Sequence, residues 1–216
     1  MPMKSRHLVL LCALTVLPVL QGCVVPLLAA GGVTGATLIG TDRRSTGAYV
    51  DDRTFEAKLS AQINDKYPNS HVNVNSFNRV VLLTGEVADP AVSSQIELLA
   101  RGLPNVRRVI NQMVVAPVSS LGNRMNDSAI TSKVKARMVG SKDFSSNHVK
   151  VVTERGEVYL LGLVTPNEAA AAEKLTSETA GVVQVKPYFE LLDPKTTEPA
   201  PGSPSLTVPQ PSGGKH

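Results

Sequence analysis

An internal repeat constrains the fold of this chain more than any other feature of its sequence. Residues 71–87 align without a gap with residues 148–164, at an offset of 77 positions. Apolar residues on both sides of these segments also match: Phe55, Leu59, Ile63, Val106 and Val109 in the first copy, and Ile130, Val134, Met138, Val182 and Val185 in the second. Agreement over three separate blocks indicates two copies of one folding unit.

The first element of each copy is a predicted helix. Apolar residues four positions apart lie on one face of a helix, which indicates a side turned toward a core. Polar and acidic residues near the start of this pattern are candidate N-caps, namely Asp51 and Asp52 in the first copy and Asn126, Asp127 and Ser128 in the second. We therefore expect the two helices to begin close to residues 51 and 126.

A hairpin, a second helix and a last strand follow in each copy. Alternating apolar residues flank a turn at Asn78-Arg79 in the first copy and at Arg155-Gly156 in the second, which predicts a pair of antiparallel strands. The second helix is expected to begin near Asp89-Pro90 or Pro166-Asn167, because proline suits the first turn of a helix. The last strand is predicted over residues 109–115 or 183–192.

This order of elements predicts an α+β fold with two tandem domains, at residues 51–117 and 126–192. Each domain is an αββαβ unit in which a small mixed sheet packs against two helices. A unit of about 65 residues is only marginally stable alone, so we expect the two domains to touch. Residues 117–125 are expected to form a short connector.

The first 22 residues have the layout of a secretory signal. Lys4 and Arg6 precede an apolar run that is too short and too interrupted for a comfortable bilayer span. The run ends in Leu20-Gln21-Gly22-Cys23, which resembles a bacterial lipobox. That resemblance implies cleavage between Gly22 and Cys23 and lipid attachment at Cys23. The alternative is an ordinary signal cut elsewhere, which would leave Cys23 as a free thiol.

The segments on either side of the repeat are predicted to lack a fold of their own. Residues 23–50 are expected to be an acylated N-terminus and a flexible tether, because glycines at positions 31, 32 and 35 discourage a stable helix. Residues 193–216 carry six prolines and almost no large apolar side chains. Such a tail cannot bury enough surface to order itself and is predicted to be disordered.

Charge and aromatic content argue against a nucleic-acid partner. Once the signal with Lys4 and Arg6 has been removed, 20 of the 22 Lys+Arg remain against 18 Asp+Glu. A net charge of about +2 is far from that of a protein that coats nucleic acid. The chain has no tryptophan and only 4% aromatic residues, so it also lacks the means to stack bases.

The spacing of reactive residues predicts no catalytic residues, no cofactor and no metal site. His71 and His148 occupy equivalent repeat positions, but neither has a cysteine or clustered carboxylates near it in the sequence. We interpret both as ordinary residues at the entry to a strand. Gly85 and Gly162 are interpreted as backbone requirements, because no further glycines follow at the spacing of a phosphate-binding loop. We therefore expect a protein that is not an enzyme.

At this point the repeat, in which Gly85 and Gly162 end the second strand before a valine, resembles a pair of BON domains. Over residues 20–192 the chain resembles the dual-BON outer-membrane lipoproteins of Gram-negative bacteria, with matching segments at residues 20–24, 50–52 and 153–165. Val24 after the cysteine agrees with outer-membrane sorting. The resemblance implies a non-catalytic protein that faces the periplasm, binds anionic phospholipid such as phosphatidylglycerol through the first helix of its second domain, and supports outer-membrane integrity, including at division sites.

The two predicted first helices differ in net charge, and the second is the more basic, as binding of anionic phospholipid by that helix requires. Residues 51–66 carry a net charge of −1, whereas residues 126–139 carry +2. A basic edge beside an apolar row suits an anionic lipid surface, so the predicted phospholipid-binding residues are Ile130, Lys133, Val134, Arg137 and Met138. Ala129 stands where the family's type member has an aromatic residue, and Met138 and Phe144 are the candidates to replace that aromatic anchor.

Alternatives remain open at two levels. Ile130 and Val134 are also interpreted as core residues, and Lys133 and Arg137 as an ordinary solvated face. The alternative function is an envelope scaffold that binds other envelope proteins, with lipid contact supplied by Cys23 alone.

Overall fold

The computed structural model describes residues 42–193. The expectations about the secretory signal, about lipid on Cys23 and about the proline-rich tail concern residues outside this range, Asp193 excepted. Within the described range, no helix is both long enough and apolar enough to span a bilayer.

The order helix, strand, strand, helix, strand occurs twice, and the predicted α+β class is confirmed. The first domain consists of α1 (Thr46–Lys66), β1 (His71–Phe77), β2 (Val80–Val87), α2 (Pro90–Arg101) and β3 (Arg108–Val115). The second consists of α3 (Leu121–Val139), a 3-10 turn (Ser146–His148), β4 (Val149–Glu154), β5 (Glu157–Val164), α4 (Pro166–Ser177) and β6 (Gln184–Leu191).

Each domain contains one three-stranded mixed sheet, and the second strand of the hairpin lies in its centre. β1 pairs with β2 in antiparallel fashion and β2 pairs with β3 in parallel fashion; β4, β5 and β6 repeat the arrangement. All eight residues of β2 are buried. A strand that is covered on both faces is expected to be almost continuously apolar, as Val80–Leu83 is.

Helices cover one face of each sheet and form the two domain cores. α1 contributes Phe55, Leu59 and Ile63 to the first core. α3 contributes Ile130, Val134 and Met138 to the second. Burial of each such side chain is worth roughly 1.5 to 3 kcal/mol, so these rows hold the helices on the sheets. The predicted apolar rows are confirmed as core-facing.

The remaining faces of the two sheets pack against each other. This third apolar cluster combines Phe77, Val80, Leu82 and Ile110 of the first domain with Val152, Tyr159, Leu161 and Leu163 of the second. Ion pairs such as Arg107 Nη1 to Glu190 Oε2, at 2.9 Å, join the domains around it. The expected contact between the two domains is confirmed, and it is a packed core rather than a loose association.

Both first helices begin about five residues earlier than predicted. The N-caps are Ser45 and Ser120, whose hydroxyls accept the backbone N–H of Ala48 and Asn123. The prediction of N-caps at Asp51-Asp52 and at Asn126–Ser128 is therefore wrong. Residues 121–125, which were expected in the connector, form the first turn of α3.

Two of the predicted cap residues have another structural role, because Asp52 and Asp127 lie buried inside the helices and hold the hairpin turns. Asp127 accepts the backbone N–H of Arg155 and of Gly156, both at 2.9 Å. Asp52 accepts the backbone N–H of Asn78 at 2.8 Å and of Arg79 at 2.7 Å, and the Ser76 hydroxyl at 2.7 Å. Each carboxylate thus fastens its first helix to the adjoining hairpin.

The tight turns explain why a carboxylate is needed there. Asn78, Arg79 and Arg155 have φ of 51°, 64° and 56°, in the left-handed region. Two-residue turns of this kind match the twist of antiparallel strands but cost energy for residues other than glycine. Hydrogen bonds from the turn to a buried carboxylate offset that cost.

Part of the predicted tether is folded. Arg43 donates to Glu168 of α4 at 2.6 and 3.0 Å, and Arg44 donates to Asp52 at 2.9 Å. α1 has already begun at Thr46. The prediction of a flexible tether is therefore wrong for residues 42–50, and its remainder lies outside the described residues.

The interpretation of Gly85 and Gly162 as backbone requirements is confirmed. A Cβ at Gly85 would lie 2.0 Å from the carbonyl oxygen of His71, and a Cβ at Gly162 would lie 2.6 Å from that of His148. No real Cβ atom tolerates such distances, so any other residue would push the two hairpin strands apart. Gly85 also has a φ of 107°, which a side chain disfavours.

Candidate functional site

The five predicted phospholipid-binding residues do not share one surface. Ile130, Val134 and Met138 are 1%, 0% and 1% exposed and pack in the core of the second domain. They cannot touch a membrane while the domain is folded, so this part of the predicted site is wrong. The interpretation of Ile130 and Val134 as core residues is the one that the structure confirms.

Arg137 is exposed at its tip but is engaged by the protein. Its Nη1 donates to the carbonyl oxygen of Leu175 at 2.9 Å and to the hydroxyl of Thr179 at 2.8 Å. Its Nη2 lies 3.5 Å from a carboxylate oxygen of Glu178. A cation that satisfies carbonyls at the C-terminal end of a helix stabilises that end, so Arg137 links α3 to α4.

The candidates for a replacement aromatic anchor are also buried. Phe144 packs in the same core as Met138, and neither reaches the surface. The expectation that these two residues compensate for Ala129 is therefore wrong. An interfacial anchor on this domain has to come from other side chains.

α3 presents a second apolar row on the side opposite the core. Leu121, Met125 and Val139 are 72%, 65% and 73% exposed. At about 100° per residue they share a sector of about 80° with three smaller exposed side chains. We call these six residues the outer face of α3: Leu121, Met125, Ala129, Ser132, Ala136 and Val139.

Two lysines border this outer face. By the same helical geometry Lys133 lies on one side of it and Lys135 on the other, and both are exposed. Within residues 42–193 neither lysine takes part in an ion pair or a hydrogen bond. Both ammonium groups are therefore available to a partner outside the chain, in contrast to the guanidinium of Arg137.

The equivalent face of α1 has a different composition. The residues 75 positions earlier are Thr46, Val50, Thr54, Ala57, Ala61 and Asn64. Val50, at 56% exposed, is the one large apolar side chain among these six. Lys58 stands in the place of Lys133, but Ser60 stands in the place of Lys135. The combination of three large exposed apolar side chains with lysines on both sides that are unpaired among the described residues is thus a property of α3. On α1 the second basic side chain, Arg53, lies 3.9 Å from a carboxylate oxygen of Glu56.

A second cluster of polar side chains lies where the two domains meet. His71 stands opposite Glu86 in the β1–β2 ladder, with Nδ1 3.0 Å from Oε2 of the glutamate. Glu154, the last residue of β4, brings its Oε1 within 4.0 Å of the same nitrogen. No carboxylates cluster near His71 in the sequence, but strand pairing and domain packing place two beside it.

The environment of Glu154 reflects its position between the domains. Burial raises the pKa of its carboxyl, although a hydrogen bond from Asn73 and the proximity of His71 oppose that rise. The Asn73 amide donates to Oε2 at 2.6 Å. Oε1 is left on the side of the histidine.

His148 has different neighbours, although it is the repeat equivalent of His71. Leu163 occupies the position that Glu86 holds in the first domain. The Oε1 of Glu168 lies 3.6 Å from Nδ1 of His148. That carboxylate is engaged by Arg43 and by the N-terminus of α4.

Comparison with known families identifies the repeated unit. Residues 51–117 and residues 126–192 each match the model of the BON domain. Together the two matches span more than half of the chain.

Three relatives of known sequence match over most of their length. The chain is 38% identical over 180 residues to the outer membrane lipoprotein DolP of Haemophilus influenzae, a match that covers 81% of this chain and 91% of the relative. It is 31% identical over 150 residues to the 21 kDa hemolysin of Actinobacillus pleuropneumoniae, which covers 67% of this chain and 76% of the relative. It is 29% identical over 153 residues to osmotically-inducible protein Y of Escherichia coli, with coverages of 68% and 76%.

Proposed function

Because the chain belongs to the BON family, as a dual-BON relative of the outer-membrane lipoprotein DolP, we propose that it binds anionic phospholipid through α3 at the outer membrane. In this proposal a lipid on Cys23 anchors the protein and its domains face the periplasm. The protein is not an enzyme, and it supports the integrity of the membrane, including at division sites. The observation that carries the lipid contact is the outer face of α3.

The outer face has the two properties that an interfacial contact requires. Leu121, Met125 and Val139 offer apolar side chains that lose contact with water when they enter the headgroup region, at roughly 1.5 to 3 kcal/mol for each fully buried side chain. Lys133 and Lys135 stand beside them at the level of the lipid phosphates. Each basic residue near an anionic surface adds about 1 kcal/mol.

A contact of this size is weak by itself and suits a protein that is already tethered. Lipid on the same chain keeps α3 at a high effective concentration near the membrane, so that modest affinity is enough for occupancy. The acyl chains would supply the durable attachment, at about 0.8 kcal/mol per buried methylene. The helix would then select membrane regions that are rich in anionic lipid.

The proposal is tested with the chain from residue 24 onward, which lacks Cys23 and cannot be acylated. Its binding is measured by co-sedimentation with vesicles of phosphatidylethanolamine, with and without phosphatidylglycerol. The double variant Lys133→Glu/Lys135→Glu is expected to bind the anionic vesicles at least tenfold more weakly, because each lysine contributes about 1 kcal/mol and 1.4 kcal/mol is a factor of ten. The variant Leu121→Ser/Met125→Ser is expected to lose at least as much.

The equivalent positions of α1 provide a matched control. Val50→Ser/Lys58→Glu changes the same kinds of side chain in the first domain and should leave affinity within twofold of the unchanged protein. Circular dichroism of every variant checks that it is folded. Equal losses from α1 and α3, or α3 variants that bind like the unchanged protein, contradict the proposal. Lipid-independent binding of envelope proteins would then favour the scaffold alternative.

A further inference from the structure

The cluster at the domain boundary contains three side chains that can each ligate a metal ion. One ligand atom from each of His71, Glu86 and Glu154 lies within 4.8 Å of the other two. His71 and Glu86 come from the first domain and Glu154 from the second. The set is therefore assembled only when the two sheets are packed together.

These carboxylates are almost completely withdrawn from water. Glu86 is 0% exposed and Glu154 is 4% exposed. Burial of an ionised carboxylate is costly unless it is paired and hydrogen-bonded. Around these two carboxylates the described residues place one imidazole and, at a longer distance, one guanidinium.

The two oxygens of the Glu86 carboxylate have different partners. Its Oε2 faces His71 and also accepts the backbone N–H of Ser119 at 3.2 Å. Its Oε1 accepts no hydrogen bond from any of the described residues. The nearest cation is Arg155, whose Nη1 is 3.7 Å from that oxygen, beyond hydrogen-bond distance. A buried carboxylate with one oxygen that lacks a donor can bind a cation through Oε2 beside His71, with Oε1 next to that cation.

A cation can reach the cluster from solvent. A polar cavity of about 250 Å³ adjoins it, with His71 and Glu154 in its wall. The rest of the wall is also mostly polar: Asn73, Arg124, Asp127, Ser128, Thr131 and Thr153. A hydrated cation could pass through this cavity and keep one water ligand on the cavity side.

We propose that His71, Glu86 and Glu154 bind one divalent transition-metal ion, with zinc as the best-fitting ion, and that this ion joins the two BON domains. Imidazole with carboxylate oxygens is a ligand set that zinc accepts, and three protein ligands with one open position is a common arrangement for it. Further hydrogen bonds orient the ligands, since Asn73 holds Oε2 of Glu154 and leaves Oε1 free. Such outer contacts typically matter for affinity.

Binding requires only small movements. Tetrahedral zinc with bonds near 2.0 Å places its ligand atoms about 3.3 Å apart. The separation of Nδ1 of His71 from Oε2 of Glu86 is 3.0 Å, and that from Oε1 of Glu154 is 4.0 Å. A shift of Glu154 by about 1 Å toward the histidine closes the site. Any proton on Nδ1 leaves when the metal binds.

The test uses the untagged chain from residue 24 onward, since a histidine tag would bind zinc itself. Zinc content is measured by elemental analysis and affinity by competition with a chromophoric chelator. One zinc ion per chain is expected. His71→Gln and Glu154→Gln should each weaken binding at least tenfold, whereas His148→Gln, the repeat-equivalent control, should stay within twofold.

A second readout separates a metal site from a purely structural role. Zinc at 100 times its dissociation constant should raise the melting temperature of the unchanged protein by roughly 5 to 10 °C, and should raise that of Glu154→Gln by no more than about half as much. Cobalt in the same site should give the intense visible bands of tetrahedral coordination. The proposal is overturned if the unchanged protein takes up no stoichiometric zinc, or if both substitutions leave affinity unchanged. It is also overturned if His148→Gln weakens binding as much as His71→Gln.

Discussion

The two BON domains agree in their interiors and differ on the surfaces that face outward or face each other. Both place a buried aspartate under the hairpin turn, at Asp52 and Asp127. Both have a glycine in the second hairpin strand where the backbone of the first strand approaches closely, at Gly85 and Gly162. Outside these positions, the outer faces of α1 and α3 and the surroundings of the two histidines have diverged.

This comparison separates the demands of folding from those of function. A residue that recurs in both copies with the same contacts is required by the αββαβ unit, because both copies must form the same turns and core. A residue that differs between the copies is not needed to form the αββαβ unit, so it is a candidate for a function of one domain alone. The basic and apolar outer face of α3, and Glu86 beside His71, belong to this second group.

The interface between the sheets depends on one such difference. Where β2 presents Thr84 and Glu86, β5 presents Leu161 and Leu163 at the equivalent positions. The leucines pack in the apolar cluster between the sheets, whereas Glu86 lies in the polar cluster with His71. If the two sheets had identical side chains, the interface between them would not contain both an apolar cluster and a separate polar cluster around His71.

The largest expected effect concerns the shared aspartates. Asp52→Ala should lower the free energy of unfolding by about 3 to 5 kcal/mol and Asp127→Ala by about 2 to 4, because each donor left unsatisfied in the interior costs about 1 to 3 kcal/mol. Asp52 should cost more, since it also accepts from the Ser76 hydroxyl and from Arg44. Urea unfolding monitored by circular dichroism measures both. Ser128→Ala, at an exposed neighbouring position, is the control. A larger loss of stability for Asp127→Ala than for Asp52→Ala would contradict this expectation.

The interior was readily predictable because its signals are local. The rows Phe55/Leu59/Ile63 and Ile130/Val134/Met138 have helical spacing, and the turn at Arg155-Gly156 is short enough to predict a hairpin. Repetition strengthened each of these predictions, since a pattern present twice is seldom accidental. Element order, strand pairing and the core rows all follow from such signals.

The site was less predictable, for two physical reasons. The interpretation of Asp127 as a helix cap places the start of α3 five residues too late. Leu121 and Met125 then fall outside the predicted helix, so the sequence does not show that they share a face with Val139. A buried carboxylate that holds a turn and a capping carboxylate are indistinguishable in sequence. The neighbours of His71 depend on strand register and on domain packing, and Glu154 lies 83 positions away from it.

A smaller effect concerns acid stability, and it sharpens the contrast between α2 and α4. Burial alone would raise the pKa of Glu168, but hydrogen bonds from Arg43 and Thr165 outweigh it and lower the pKa to about 2. A lowered pKa contributes stability that is present above the ordinary value near 4.5 and is lost as the pH falls from there toward 2. α2 has Val92 at the corresponding position of its first turn and cannot form this capping box.

Glu168→Gln should therefore destabilise the protein at pH 7, by an amount on the order of 2 to 3 kcal/mol, and much less near pH 2. Urea unfolding at pH 7, 4 and 2.5 measures the difference between variant and unchanged protein. Glu173→Gln on the same helix is the control and should shift stability by less than about 0.5 kcal/mol. A destabilisation by Glu168→Gln that does not shrink below pH 4 would show that Glu168 acts through shape rather than charge.

The most direct test of the central claim asks which of the two first helices meets the membrane. The chain from residue 24 onward contains no cysteine, so Met125→Cys and Val50→Cys each introduce a single site for an environment-sensitive fluorophore at equivalent positions of α3 and α1. With phosphatidylglycerol vesicles, the probe at position 125 should brighten and shift to the blue, as it would on entering the apolar interface, while the probe at position 50 stays unchanged. Equal responses at both positions, or a response at position 50 alone, would contradict the account.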